Sequence, residues 1–382
     1  MKYTILVATC LALVQAAPLL SHAEHGEIIQ DSYIVVLKNG YTADSFVSKF
    51  DDIMKRQSLD SGYKAIPGFH ASLDSASLKE IQAAPEVAYV EQDAVMKIAG
   101  QEDNPPSWGL TRVSQRNLDL SQPYFYNNAA GNGITAYVVD TGVYVEHSDF
   151  GGRARVGVNF VTGSPDTDQN GHGTHVSGTI GGTTYGVAKQ VKIVGVKVLD
   201  EAGSGSVSNV IAGIDWIKKY ATAGKSVVNM SLGGPKTKSL NDAAASLYDA
   251  NIPLIVAAGN DATVNSCDVS PAGAPHTFAV AASDQMDTVA TFSSFGSCVS
   301  IFAPGVDITS AWIGGVDASK TISGTSMSAP HVAGVAALYL SESSIVSAKD
   351  VFDKLSNTAT PGKIMGTLNG SPNKLVYNGG IH

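Results

Sequence analysis

The chain has 382 residues, 44% of them hydrophobic and 15% charged, which is longer than one domain ordinarily needs and apolar enough for a sizeable core. Its net charge of -9 argues against a nucleic-acid or anionic-membrane partner, because both reward a basic surface.

The first segment, MKYTILVATCLALVQAAP, has Lys2, an apolar stretch from Ile5 to Val14 and then small residues. This is the pattern of a secretory signal, residues 1–16, cut after Ala16, with an uncleaved anchor as the alternative. The stretch is too short to span a bilayer comfortably, and no other segment qualifies. Once Cys10 leaves with the signal, Cys267 and Cys298 remain. In an exported chain they read as one disulfide or as two isolated buried thiols.

DSYIVVLK (31–38) reads as a strand and TADSFVSKFDDIMKRQ as a helix. FHASLD, SASLKEIQAA and VAYVEQDAV then predict strand, helix and strand, so that residues 31–96 can form a small α+β domain. AGQEDNPPSWG is polar and proline-containing and reads as an exposed linker, with a boundary near residues 97–102 that a protease could reach. Beyond residue 133 the pattern changes. ITAYVVD, VKIVGVKVL, SVVNMSL, PLIVAAGN and TFAVAAS are apolar throughout and alternate with helical segments. One of these, VSNVIAGIDWIKKY, sets Val207, Val210, Ile211, Ile214 and Ile217 on one face. Such strands predict an α/β fold, a mainly parallel sheet with helices on both faces, binding ligands at the strands' carboxyl ends.

Those ends carry Asp140, then Ser231-Leu232-Gly233, then Asn260, while His172 stands between glycines and Ser326 opens the helical run of SGTSMSAPHVAG. A serine hydroxyl needs an imidazole to take its proton, and a carboxylate fixes the imidazole tautomer. Ser326 at a helix N-terminus gains N–H groups for a developing oxyanion, and Asn260 offers an amide donor for the same charge. Taken singly, each residue has a plainer reading: Ser326 as a helix cap, Asp140 and Asn260 as turn formers, His172 as structural or, with His175, as a metal ligand. The combination points to nucleophilic acyl transfer.

VVDTGV, NGHGTHVSGTIGG and SGTSMSAPHVAG together resemble the three catalytic blocks of the subtilisin-like serine proteases, in the order Asp, His, Ser. WGLTRVS, AAGN and SFGSCVSIFAPG look most like the secreted fungal members of the proteinase K branch. The resemblance covers residues 105–340. It implies Asp140, His172 and Ser326 as a triad, with Asn260 and the Ser326 N–H as the oxyanion hole. It also implies a specificity pocket walled by Ser231-Leu232-Gly233 and Ala257-Ala258-Gly259, and an edge strand Gly203-Ser204-Gly205 that pairs with extended substrate. The family prefers large hydrophobic or aromatic residues before the cut. The N-terminal part resembles the family's propeptide, an intramolecular chaperone and inhibitor. That implies residues 17–98 as propeptide, self-cleavage near Ile98–Ala99, and a catalytic domain over 99–382; a permanent accessory domain is the alternative.

By the same resemblance Cys267 and Cys298 pair. The position after His175 is Val176, where some members carry a free thiol. The branch's strong calcium site uses carbonyls near Pro275 and Thr277 plus an aspartate, and Ser300 stands at the aspartate's position, so that site is expected to be weakened. Two sequons occur, at Asn229 within an apolar strand and at Asn369 in a polar segment followed by Ser371-Pro372. The expectation is a secreted, monomeric endopeptidase made as a proenzyme, acting on polypeptides and using no cofactor in its chemistry. A catalytically silent peptide-binding relative would lack one of the four site residues. An esterase on another fold would carry a G-x-S-x-G elbow, which GTSMS does not supply.

Overall fold

The computed structural model describes residues 16–20, 28–50, 63, 67–94, 100–342 and 345–380. The chain divides into two compact units, Met1–Lys97 and Ile98–His382.

In the first unit, β1 (Leu19–Leu20), β2 (Ile28–Leu37), β3 (Gly68–Ser72) and β4 (Val87–Ala94) make one sheet in the order β1-β4-β2-β3. β2 runs antiparallel to both β3 and β4. Helix α1 (Ala43–Val47) is capped by Thr42, and α2 (Ser75–Ala83) by Asp74, whose carboxylate accepts from Ala76 N and Ser77 N. Phe46 and Ile81 meet Val35, Phe69 and Val90 in a small core. Of the helix expected over residues 42–57, α1 covers Ala43–Val47; residues 51–62 lie outside the described residues, as do most of the predicted signal and the processing point at Ile98–Ala99.

The second unit begins with a departure from expectation. Residues of the supposed linker form β5 (Gly100–Glu102), which pairs antiparallel with β6 (Tyr124–Tyr126). Glu102 bonds to Lys189 at 2.8 Å, Ser107 is buried, and Trp108 starts helix α3 (Trp108–Val113). Polarity misled because Glu102 is polar through an ion pair. From α3 the fully buried Arg112 makes a two-pronged bond to Asp287, with Nε–Oδ1 at 2.7 Å and Nη2–Oδ2 at 2.9 Å.

The main sheet contains β7 (Thr135–Asp140), β8 (Ala154–Asn159), β9 (Lys192–Lys197), β10 (Ser226–Met230), β12 (Leu254–Ala257), β14 (Phe278–Ser283), β15 (Val299–Pro304), β18 (Thr360–Pro361) and β19 (Lys374–Leu375). Its order is β18-β19-β15-β14-β12-β10-β7-β9-β8, parallel except at the β18–β19 edge. β11 (Gly234–Pro235) pairs with β13 (Val269–Ser270), and β16 (Ile308–Ala311) with β17 (Ser319–Ile322). Alternation on β7 shows why its run is apolar on both sides. Ala136 and Val138 enter the core beneath α4 (His172–Gly181) and α7 (Thr325–Leu340), while Tyr137 and Val139 enter the core beneath α5 (Val207–Tyr220) and α6 (Lys238–Asp249). The last helix, α8 (Ala348–Thr358), sends Val351 and Leu355 into the first of these cores.

The predicted span of α5 holds, and Val210, Ile214 and Ile217 are buried. Val207 is not: it is exposed, and it lines the surface cleft described below. Every residue of helix α7 except Ser326 is buried, which is why it shows no amphipathic face. Cys267 and Cys298 form a disulfide with Cα atoms 5.2 Å apart. Among the described residues no helix is long and apolar enough to cross a membrane.

Candidate active site

After β7 the chain turns to one side of that strand (β8, β9) and then returns to its other side (β10, β12), so the sheet's switch point lies between β7 and β10. Crevices open at such points. Asp140 is the last residue of β7 and is fully buried. His172 is the first residue of α4, and its Nδ1–H donates to Asp140 Oδ1 at 2.8 Å. Oδ1 also accepts from Thr141 N at 2.7 Å. Two glycines make this approach feasible. Gly171 has φ +102°, and a Cβ there would lie 2.5 Å from the Trp312 ring; a Cβ on Gly173 would lie 2.1 Å from Gly142 O. Burial pulls the His172 pKa down, but the charge and hydrogen bond of Asp140 outweigh it, and the net shift is upward.

Ser326 is the second residue of α7, beside the carboxyl end of β10. Its Oγ–H donates to Ser231 O at 3.2 Å, while Ser231 Oγ–H donates to Ser326 O at 2.8 Å. Asn229 Nδ2 donates to Ser231 Oγ at 2.9 Å, so the Asn229 sequon falls on a buried side chain whose amide nitrogen is already bonded. Pro330 is the sixth residue of α7 and therefore lies in its second turn. Its missing N–H would have bonded to Ser326 O, and the Ser231 hydroxyl takes that carbonyl instead. Asn260 stands three residues beyond β12. Its Oδ1 accepts from Thr325 N and Thr325 Oγ1, both at 2.8 Å, which fixes the amide and leaves its NH2 beside Gly324.

A cleft of about 540 Å3 is lined by His172 and Thr141, by Gly203, Ser204 and Gly205, and by Ser231, Leu232 and Gly233; Asp140, Asn260 and Ser326 are not part of its lining. Leu199, Val207, Val210 and Leu240 make its apolar lining; the sequence reading had placed Val207 and Val210 with the core and had not singled out the other two. Ala257, Ala258 and Gly259 are not part of this lining. The two alanines are buried, and Gly259 N donates to Thr325 Oγ1 at 3.2 Å.

The metal alternative for His172 and His175 does not hold. His175 is buried, with Nε2 facing the Ile308 and Lys320 carbonyls at 3.0 and 3.1 Å, so that nitrogen carries the proton. Pro275 and Thr277 precede β14, Ser300 stands in β15, and Thr277 Oγ1 is committed to the Pro271 and Ala274 carbonyls. This set holds no carboxylate, and a hard dication does not fit it. Among the described residues no group of three His, Cys, Asp or Glu could hold a metal. Asn369 is exposed with φ 46°.

Two buried charges near the site were missed in the sequence, Asp168 and Lys197. Their signals were an acid four residues before His172 in DQNGHGTH and a lone cation in the otherwise apolar VGVKVL.

Residues 131–377 match the model of the subtilase family, and residues 32–99 that of peptidase inhibitor I9. Subtilisin-like protease 2 of Pseudogymnoascus destructans is 43% identical over 393 aligned positions, covering 98% of this chain and 97% of that protein. A cuticle-degrading serine protease of Arthrobotrys oligospora is 42% identical, over 94% and 93% of the two chains. The crystal structure of a cold-adapted subtilisin-like serine proteinase superposes with a TM-score of 0.67 at 47% identity, covering 71% of this chain and 97% of the other. With its strand-end geometry and these matches, the chain belongs to the subtilase family: it is a subtilisin-like serine protease that carries an I9 inhibitor propeptide domain.

Proposed function

We propose that this protease is a secreted endopeptidase in which Ser326 is the nucleophile, His172 the general base and then acid, and Asp140 the group that orients His172. The observation that carries the assignment is the 2.8 Å bond from His172 Nδ1 to the fully buried Asp140, which leaves Nε2 as the basic atom. In this reading a polypeptide lies extended between Gly203–Gly205 and Ser231–Gly233, with strand-like main-chain bonds. The Ser326 hydroxyl turns from the Ser231 carbonyl to His172 Nε2, gives up its proton and attacks the scissile carbonyl carbon. The carbonyl oxygen takes up the negative charge between Asn260 Nδ2 and the Ser326 N–H. His172 passes the proton to the leaving amine, the C–N bond breaks, and water repeats the sequence on the acyl-enzyme.

The glycines on both edges and the apolar lining favour broad specificity with large hydrophobic or aromatic residues before the cut. Residues 1–16 are read as the signal and 17–98 as a propeptide removed near Ile98–Ala99, leaving a monomeric mature enzyme that starts at Ala99. The chemistry uses no cofactor, and the neutral set at Pro275, Thr277 and Ser300 makes that position a poor calcium site. A chelator should therefore leave the melting temperature in place; a large drop would show that calcium is held.

The test of the catalytic assignment is labelling. The secreted protein should react with a serine-directed phosphonate at one site, and Ser326→Ala should abolish both labelling and propeptide release. Labelling or normal maturation of that variant would overturn the assignment, and mass spectrometry of the secreted form reads the mature N-terminus.

A further inference from the structure

Asp168 is 4% exposed, yet its carboxylate accepts five hydrogen bonds. Oδ1 receives Thr141 Oγ1 at 2.9 Å, Asn170 N at 3.0 Å and Gly171 N at 2.9 Å. Oδ2 receives Thr174 N at 2.9 Å and Thr174 Oγ1 at 2.6 Å. Thr141 Oγ1 in turn accepts from Gly173 N at 2.9 Å. The carboxylate thus grips the backbone on both sides of His172 and, through Thr141, the residue bonded to Asp140.

Such a hub exceeds what a helix end requires. Gly171 is the N-cap of α4, and Asp168 stands three residues before it. A short neutral side chain satisfies one or two end N–H groups without burying a charge. Burying an ionised carboxylate is costly unless it is paired and fully bonded. Lys197, 1% exposed and facing Asp140 across the β7–β9 ladder, is a buried cation whose charge interacts with Asp168 without a direct salt bridge. Its Nζ donates to Thr141 O at 2.5 Å and Leu199 O at 3.0 Å.

We propose that Asp168 is a positioning residue for the reaction, locking Asp140 against His172 through Thr141, with the buried Lys197 as its counter-cation. The inference rests on the reading of His172 as the base. The ionisable groups around that imidazole are Asp140 from β7, Asp168 from the segment before α4, Lys197 from β9 and His175 from α4 itself, with His331 of α7 beyond His175. Lys320, stacked on Trp312 at 4.2 Å, is the cation on the hairpin packed against Gly171. Asp168 is the second anion in this set and adds to the upward shift of His172.

The experiment measures kcat and KM against pH for the enzyme secreted from full-length chains, with active sites counted by phosphonate titration. Asp168→Asn should lower kcat with KM little changed, and should move the acid limb of kcat/KM to lower pH because an anion near His172 is gone. Thr141→Val should lower kcat roughly 10- to 100-fold through misplacement of the pair, and Thr141→Ser should restore it. A merely structural role predicts lost yield and stability with kcat and the acid limb in place, and that result overturns the proposal. So does a Thr141→Val enzyme with unchanged kcat, or failure of Thr141→Ser to restore it. If Asp168→Asn does not accumulate, the two Thr141 variants decide. A parent enzyme that does not react with phosphonate would instead refute the catalytic reading itself.

Discussion

Acid should weaken this enzyme in a way that two histidines outside the reacting set control. His175 and His331 are both fully buried, and burial pushes their pKa values down to about 3 and about 4. The unfolded chain takes up their protons near the ordinary value of about 6.5, while the folded chain holds the rings neutral. Their contribution is therefore whole above that value and is lost as pH falls toward the folded values. At about pH 5 each costs about 2 kcal/mol, roughly 4 kcal/mol together, against a total stability of about 5–15 kcal/mol. His172 works in the opposite sense, since its raised value stabilises the fold in acid and that gain fades as pH rises. The assay is thermal unfolding of the phosphonate-inhibited enzyme, which cannot digest itself, between about pH 7 and pH 5. A drop of roughly 10 °C is expected for a unit of this size. His331→Met should remove about half of it, since half the proton uptake goes with the ring. A flat profile, or a His331→Met profile parallel to the parent's, would refute the reasoning.

Asn260→Ala should lower kcat by about 100- to 1,000-fold while KM changes little, because the amide acts on charge that exists only in the transition state. A rise in KM at constant kcat would assign Asn260 to substrate binding instead. Replacing Cys267 and Cys298 by serine opens a loop spanning 31 residues and should cost about 3–4 kcal/mol by chemical denaturation. Arg112→Met leaves Asp287 buried and unpaired, for a loss of about 3–5 kcal/mol that Asp287→Asn in the same chain should partly recover.

The central sheet was legible because its strands carry apolar residues on both faces, which is what a sheet covered on both sides requires. Four of the site residues were legible for a related reason: each lies at or just beyond the end of a strand or in the first turn of a helix, where an isolated polar group stands out. What the sequence hid was mutual. Glu102 looks like linker until Lys189 is placed beside it, and Asp168 looks like a turn former until Thr141 and Thr174 close around it. Val207 shares the helical period of its buried neighbours, and periodicity cannot tell that its turn of α5 faces a cleft.

Pro330 also bears on how this protease can change its diet. By releasing the carbonyl of Ser326, it lets Ser231 on the cleft wall and Ser326, the proposed nucleophile, hold one another through two reciprocal bonds. Recognition and reactivity then share a hinge pin. Reshaping the cleft at Leu232 or Leu240 leaves that pin alone, whereas replacing Ser231 by a residue without a hydroxyl removes the bond to the Ser326 carbonyl at the start of α7.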